Sequence, residues 1–185
     1  MKIVCICQKE EKTDILIKPE TAMLVNGKPL FIPDFTDDLR VSLCVLLHIN
    51  RLGRNIAERF ASRYFDEMTL GLDFAAYDKL QKAKQEYLSI SPFVAFDGSM
   101  AIGQWQGTDF NFTDYDLTIN QMQISNEFRL VCTPEQAIAE ASRYFKLCTG
   151  DIIAIRTTLQ PIKLKINDHI DIVGNDNTIL TMNIK

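Results

Sequence analysis

The 185-residue sequence lacks the marks of several large functional classes. It has no excess of positive charge: 20 lysines and arginines stand against 24 aspartates and glutamates, a formal net charge of −4. Acids and bases are interspersed and no basic patch tracks a nucleic acid, so neither DNA nor RNA is expected as a partner. The longest apolar run falls far short of the roughly 20 residues of a membrane span. Met1 to Cys7 is apolar for too few residues to be a signal peptide, and no small-residue cleavage site follows. A cytoplasmic protein is the expectation. Histidine is scarce: His48 and His169 are the only two. A single tryptophan, Trp105, has no aromatic neighbours at regular spacing. Five cysteines, an odd number, are scattered through strand-like and helical segments, which suits reduced thiols better than a disulfide framework. Cys5-x-Cys7 has neither the two-residue gap nor the second cysteine pair of a zinc site, and reads as core packing.

What remains is an ordinary globular composition, 46% apolar and 24% charged, in a chain long enough for one domain over residues 1–185. There are no repeats, low-complexity segments or internal boundaries. Lys2 to Cys7 reads as a strand and Gln8 to Asp14 as a polar loop. Ile15 to Pro19 leads into Thr21 to Val25, and Asn26-Gly27 signals a hairpin before Pro29 to Ile32. Val41 to Ile49 is a long apolar run of strand-forming residues, ended by Gly53. Asn55 to Met68 is expected to be a helix: Asn55 can cap it, Glu58 stands at the capping-box position, and Ile56, Phe60, Tyr64 and Met68 recur every fourth residue. A short strand follows at Thr69 to Phe74, then a helix over Asp78 to Tyr87. Tyr115 to Ile124 alternates as a hairpin, and Phe128 to Cys132 continues it. Thr133-Pro134-Glu135-Gln136 opens a helix to about Leu147. Short strands fill Asp151 to Thr157, Pro161 to Ile166, Ile170 to Val173 and Thr178 to Ile184, with a turn at 174–177. Many short strands and few helices predict a β-rich α+β domain closed as a sandwich or barrel.

Several stretches, taken in order and spacing, resemble the catalytic domain of the fumarylacetoacetate hydrolase family. They are Lys18-Pro19, Phe31 to Phe35, Asp38-Leu-Arg40, Ile49 to Gly53, Gly71-Leu-Asp73-Phe, Phe96-Asp97-Gly98-Ser99, Gly150-Asp151 and Ile166 to His169. The resemblance runs from about Ile15 to the end. It implies a mixed β-roll, a homodimer, and a hydrolase, isomerase or decarboxylase acting on small 2-oxo acids. It also implies a divalent cation, usually magnesium, held by two glutamates and an aspartate, which polarises the substrate carbonyl and stabilises an enolate.

Residue by residue, most of that chemistry is missing. Asp73 matches the metal-binding aspartate, but Ser42 and Cys44 stand in place of the two glutamates. Three formal negative charges become one, with a neutral hydroxyl and a soft thiol beside it. Val94 replaces a lysine and Tyr77 an arginine. The Thr-Gly-Thr-Pro loop reads Ile155-Arg156-Thr157-Thr158, keeping only Thr157. The N-terminal lid with its water-activating His and Glu is replaced by the short stretch Gln8 to Asp14. The expectation is therefore a degenerate member with no catalytic residues, no cofactor, and a vestigial ligand at Asp73. Its former substrate pocket would comprise Ser42, Cys44, Tyr77, Val94, Arg156 and Thr157. It would serve as a binding or dimerisation module, as a homodimer or joined to an active relative, with a small oxo-acid as candidate ligand. The alternative is a divergent enzyme on such an acid.

Two side chains carry open readings. Arg156 replaces a glycine and is a candidate partner for Asp73, which needs one if buried; the commoner state of an arginine is to face solvent. Cys44 and His48 share a strand face but lie about 13 Å apart along it, so Cys44 reads as a small buried hydrophobe rather than a nucleophile. His48 and His169 read as surface or edge residues. Trp105 reads as packing, or as the cover of a pocket or interface.

Overall fold

The computed structural model describes residues 1–9, 12–125, 128–174 and 177–185. The strands are β1 (Lys2–Lys9), β2 (Lys12–Pro19), β3 (Met23–Val25), β4 (Leu39–Ile49), β5 (Phe65–Ala76), β6 (Met100–Ile102), β7 (Gln106–Gly107), β8 (Asp116–Ile119), β9 (Met122–Ser125), β10 (Ile152–Arg156), β11 (Ile162–Lys163), β12 (His169–Gly174) and β13 (Asn177–Asn183). Among the described residues three α-helices accompany them: α1 (Tyr77–Gln85), α2 (Ser91–Val94) and α3 (Pro134–Tyr144). Among the described residues no helix is long and apolar enough to cross a membrane.

The larger sheet has the order β2-β1-β10-β4-β5-β6-β3, with β11 beside β4 and β7 beside β5. Its two outer strands, β2 and β3, are neighbours in sequence, joined by a single 3-10 turn at Glu20–Ala22. Joining the two edges by so short a link requires the sheet to curl into a half-barrel. A side-chain contact spans the curl: the Lys18 ammonium of β2 donates to the Ser99 carbonyl, 2.7 Å away, beside β6. The smaller sheet, β13-β12-β8-β9, packs on the outside.

Strand alternation sorts the core into two. Val41, Leu43, Val45, Leu47 and Ile49 of β4 face outward into the main core, against Leu117, Ile119, Ile170, Ile172 and Leu180 of the small sheet and Ala137, Ile138 and Ala141 of α3. Cys44 and Leu46 face inward, into a lumen filled by Ile3, Cys5, Met100, Ile152 and Ala154. Because β4 is covered on both faces, its sequence is apolar throughout instead of alternating. Gly71 lies opposite Cys44 in the lumen. A Cβ there would sit 2.5 Å from Leu46 Cδ1 and 2.8 Å from the Ala101 carbonyl oxygen, so the strand needs glycine at this point.

The strands at β1, β4, β10, β12 and β13 fall where the sequence places them, as do α1 and the Thr133-capped α3, whose capping box with Gln136 is complete. Four expectations are corrected. Asn55 to Met68 is no α-helix: Glu58–Arg63 is a 3-10 helix, and β5 already begins at Phe65. Asn55 has φ +51° and gives its N–H to the Ser142 carbonyl, while the Ile56 N–H goes to Ser142 Oγ. These anchors to α3, and a ladder extending along all of β4, outweigh the four-residue periodicity. The Gln8–Asp14 loop is instead the closing end of the β1–β2 hairpin, paired to Lys9↔Lys12; residues 10 and 11 lie outside the described residues. Gly27 does turn the chain, at φ +81°, yet its flanks do not pair with each other: β3 runs parallel to β6, and Leu30 bridges Ile184. Leu130 bridges Thr157 rather than prolonging the β8–β9 hairpin. Of the turn expected at 174–177, residues 175 and 176 lie outside the described residues.

Candidate functional site

The lumen has a polar end, built by the first residues of β4 and the last of β5. Ser42 pairs with Asp73 across the ladder, and Cys44 with Gly71, so all point inward. β10 sets Arg156 opposite Cys44. β2 brings Lys18 to the same end, on the face it shares with Leu16 and, through pairing, with Ile3 and Cys5.

Asp73 is buried, at 3% exposure, and both its oxygens are occupied. Lys18 Nζ lies 2.6 Å from Oδ1, and Arg156 Nη2 lies 2.5 Å from Oδ2. Lys18 is fully buried and also donates to the Ser99 carbonyl and, at 3.2 Å, to Ser99 Oγ. Burial pushes the Asp73 carboxyl up, but the Lys18 and Arg156 charges and hydrogen bonds outweigh it and hold the carboxyl below its ordinary range. Two cations thus face one anion, leaving one net positive charge. Arg156 Nε is buried with no hydrogen-bond partner among the described residues. The contact expected between Arg156 and Asp73 is present, and Arg156 is not turned to solvent.

The other site residues are placed as follows. Ser42, Tyr77, Val94 and Arg156 line one small cavity of about 80 Å³, with Cys7, Asp14, Arg40 and Lys84. Arg156 and Thr157 also line an adjoining cleft of about 610 Å³. Cys44 lies deeper, inside the lumen core. Burial, helped by the Asp73 charge, pushes its thiol well above the ordinary value, so it stays protonated at neutral pH. Cys5 is raised for the same reasons, and Cys7 to about 11, chiefly by burial. Thr157 turns its hydroxyl back to the Leu43 carbonyl, 3.0 Å away, and so serves the backbone. Tyr77 stacks under the Arg40 guanidinium, 3.9 Å from its ring centre, while Arg40 grips Asp38 with two hydrogen bonds of 3.0 and 2.9 Å. His48 sits at the opposite end of β4 from Ser42, so it and Cys44 do not meet. Trp105 packs on the lumen core and lines a separate apolar cavity.

Lys18 is the functional residue that sequence reasoning missed. Its signal was a lone lysine on the inward face of an otherwise apolar strand end, in a stretch already matched to the family.

The donor set does not fit a magnesium ion. One carboxylate remains, its two oxygens already accept from cations, and the flanking groups are an alcohol and a protonated thiol.

The sequence matches the family model for Fumarylacetoacetate (FAA) hydrolase C-terminal over residues 7–183. The chain belongs to the fumarylacetoacetate hydrolase family. No curated protein matches it by sequence. Among solved structures, a fumarylacetoacetate hydrolase family protein from Yersinia pestis is 25% identical with a TM-score of 0.86; the match covers 100% of this chain and 92% of that one. A fumarylpyruvate hydrolase from Pseudomonas aeruginosa, in complex with Mn2+ and pyruvate, is 15% identical with a TM-score of 0.88, covering 100% and 89%. A 5-carboxymethyl-2-hydroxymuconate delta-isomerase from Mycobacterium smegmatis is 18% identical with a TM-score of 0.81, covering 99% and 78%. The β-rich mixed roll expected from the sequence is the fold of this family.

Proposed function

We propose that this fumarylacetoacetate hydrolase family protein has given up metal-dependent carbon–carbon bond hydrolysis and is kept as a cytoplasmic binding module. One observation carries the reading: Arg156, standing where the family has a glycine, occupies one oxygen of Asp73, while Lys18, in a stretch shared with the family, holds the other. A magnesium ion would have to displace Arg156 and Lys18 from a buried carboxylate and lose tightly held water, with an alcohol and a protonated thiol at the two positions where the family has glutamates. Nor does either histidine, His48 or His169, lie in the Gln8 to Asp14 stretch that stands where the family carries its water-activating pair.

The occupant best suited to the remaining pocket is a small oxo-acid anion. The net positive charge of the Asp73 cluster, which includes Arg156, together with Lys84 outweighs the one carboxylate in the wall, Asp14, and favours an anion; Arg40 is already paired with Asp38. The Pseudomonas relative was solved with Mn2+ and pyruvate; in this chain the guanidinium supplies the positive charge that the ion supplies there. The same lining favours a second reading, a metal-free enzyme promoting keto–enol exchange of such an acid, because fixed cations stabilise an enolate. As in the family at large, the binding unit would be a homodimer, or a pair with an active relative. Sedimentation of the purified chain and capture from its own cells separate these two forms.

The test is an acylpyruvate assay with millimolar Mg2+ or Mn2+. No metal-dependent turnover is expected. Turnover that requires the ion and vanishes in Asp73→Asn would overturn the proposal. Enolisation of pyruvate without metal, followed by deuterium exchange at its methyl group, would select the second reading.

A further inference from the structure

At the far end of the half-barrel a second group of ligating side chains converges. His48 is the last inward-facing residue of β4. Beside it the β4–β5 ladder slips: His48 pairs with Glu67, but Ile49 pairs with Phe65. Asp66 is the extra residue of a β-bulge. In an unbroken strand Asp66 and Glu67 would point to opposite faces; the bulge aims both at His48. Asp66 Oδ1 lies 2.7 Å and Glu67 Oε2 3.8 Å from His48 Nδ1. The three ligand atoms all fall within 4.8 Å of one another. Among the described residues no lysine or arginine lies within 4.0 Å of either carboxylate, so their two charges face only an imidazole.

We propose that His48, Asp66 and Glu67 bind a divalent first-row transition ion of the zinc class. One imidazole nitrogen and two carboxylate oxygens suit a borderline ion, whereas magnesium favours oxygen ligands and retained waters. The ion would take the Nδ1 lone pair of the neutral imidazole in place of the Asp66 contact made there, with the ring proton on Nε2. Three protein ligands leave at least one position open. His48 also lines an apolar cavity of about 410 Å³ with Met23, Ile102, Trp105 and Ile152, so the ion would stand at the rim of that cavity. The site is six residues along β4 from Ser42, about 20 Å away at strand spacing. It is therefore separate from the family's metal position and does not rest on the function proposed above.

The chain's one tryptophan provides the readout, because the Trp105 and His48 rings are 5.7 Å apart. A paramagnetic ion held by His48 would quench its fluorescence. Titration of the full chain with Ni2+ should give saturable quenching with a micromolar midpoint. Zn2+ should relieve it by competition, and millimolar Mg2+ should not. His48→Gln should weaken binding at least tenfold and Glu67→Gln severalfold. Both positions are partly exposed, so neither change should disturb folding. Quenching that fails to saturate through millimolar Ni2+, or that is the same in His48→Gln, would overturn the assignment and leave only a surface ion pair. The competition with Zn2+ uses the unaltered protein and decides the matter if a variant misfolds.

Discussion

Replacing Asp73 by asparagine separates a neutralised carboxylate from a waiting metal ligand. Asp73→Asn conserves shape but removes the only anion between Lys18 and Arg156, which lie 2.6 and 2.5 Å from it. Breaking a buried pair by deleting one partner typically costs about 3–5 kcal/mol, because the surviving charge is left uncompensated. For a chain of this length the loss corresponds to a fall in Tm of about 6–20 °C. Thermal melts at pH 7 measure it. An unchanged or raised Tm for Asp73→Asn would refute the reasoning, since a carboxylate waiting for a metal is relieved by neutralisation.

Three further outcomes follow from the same geometry. Lys18→Met should cost about 3 kcal/mol in urea unfolding, because it strands one Asp73 oxygen and the buried Ser99 carbonyl; a loss below about 1 kcal/mol would place the burden on Arg156 alone. In the unaltered protein the folded Asp73 carboxyl lies below its unfolded value near 3.9. Its contribution is therefore complete above that value and is lost as pH falls through the folded one. An acid titration should show a stability decline below about pH 4 that is smaller in Asp73→Asn. Thiol labelling of the native protein should find Cys148, which is exposed, reacting first, while the fully enclosed Cys5 and Cys44 stay unreacted until unfolding. Rapid native-state labelling of Cys44 would contradict its place in the lumen.

How much of this was legible in the sequence depends on whether the deciding contacts are local. The α3 cap was legible because Thr133, Pro134 and Gln136 make their contacts within one turn. β4 was legible because burial on both faces leaves an unbroken apolar run. The 55–68 segment misled because Ile56, Phe60, Tyr64 and Met68 carry a helical period that nothing local contradicts. Ser142, 86 residues beyond Ile56, and the β4 ladder decide its conformation. The losses at Ser42, Cys44, Val94 and Tyr77 could be read by matching to the family, and the Arg156–Asp73 contact was foreseeable because a charge replaced a glycine beside a buried acid. Lys18 was not foreseen. It reaches Asp73 only because the sheet curls until β2 meets β5 and β6, and strand periodicity carries no information about that closure. Nor does sequence spacing reveal that a bulge aims Asp66 and Glu67 at one histidine.

The central claim is that Arg156, standing where the family has a glycine, has taken the place of the family's metal at Asp73. The most direct test is a magnesium titration of the thermal melt, with each variant compared against its own metal-free baseline. At 10 mM Mg2+ the account predicts no rise in Tm for the unaltered protein beyond that given by equal ionic strength. A saturable rise that disappears in Asp73→Asn and persists in His48→Gln would contradict it, because the ion would then be binding where Lys18 and Arg156 are said to stand.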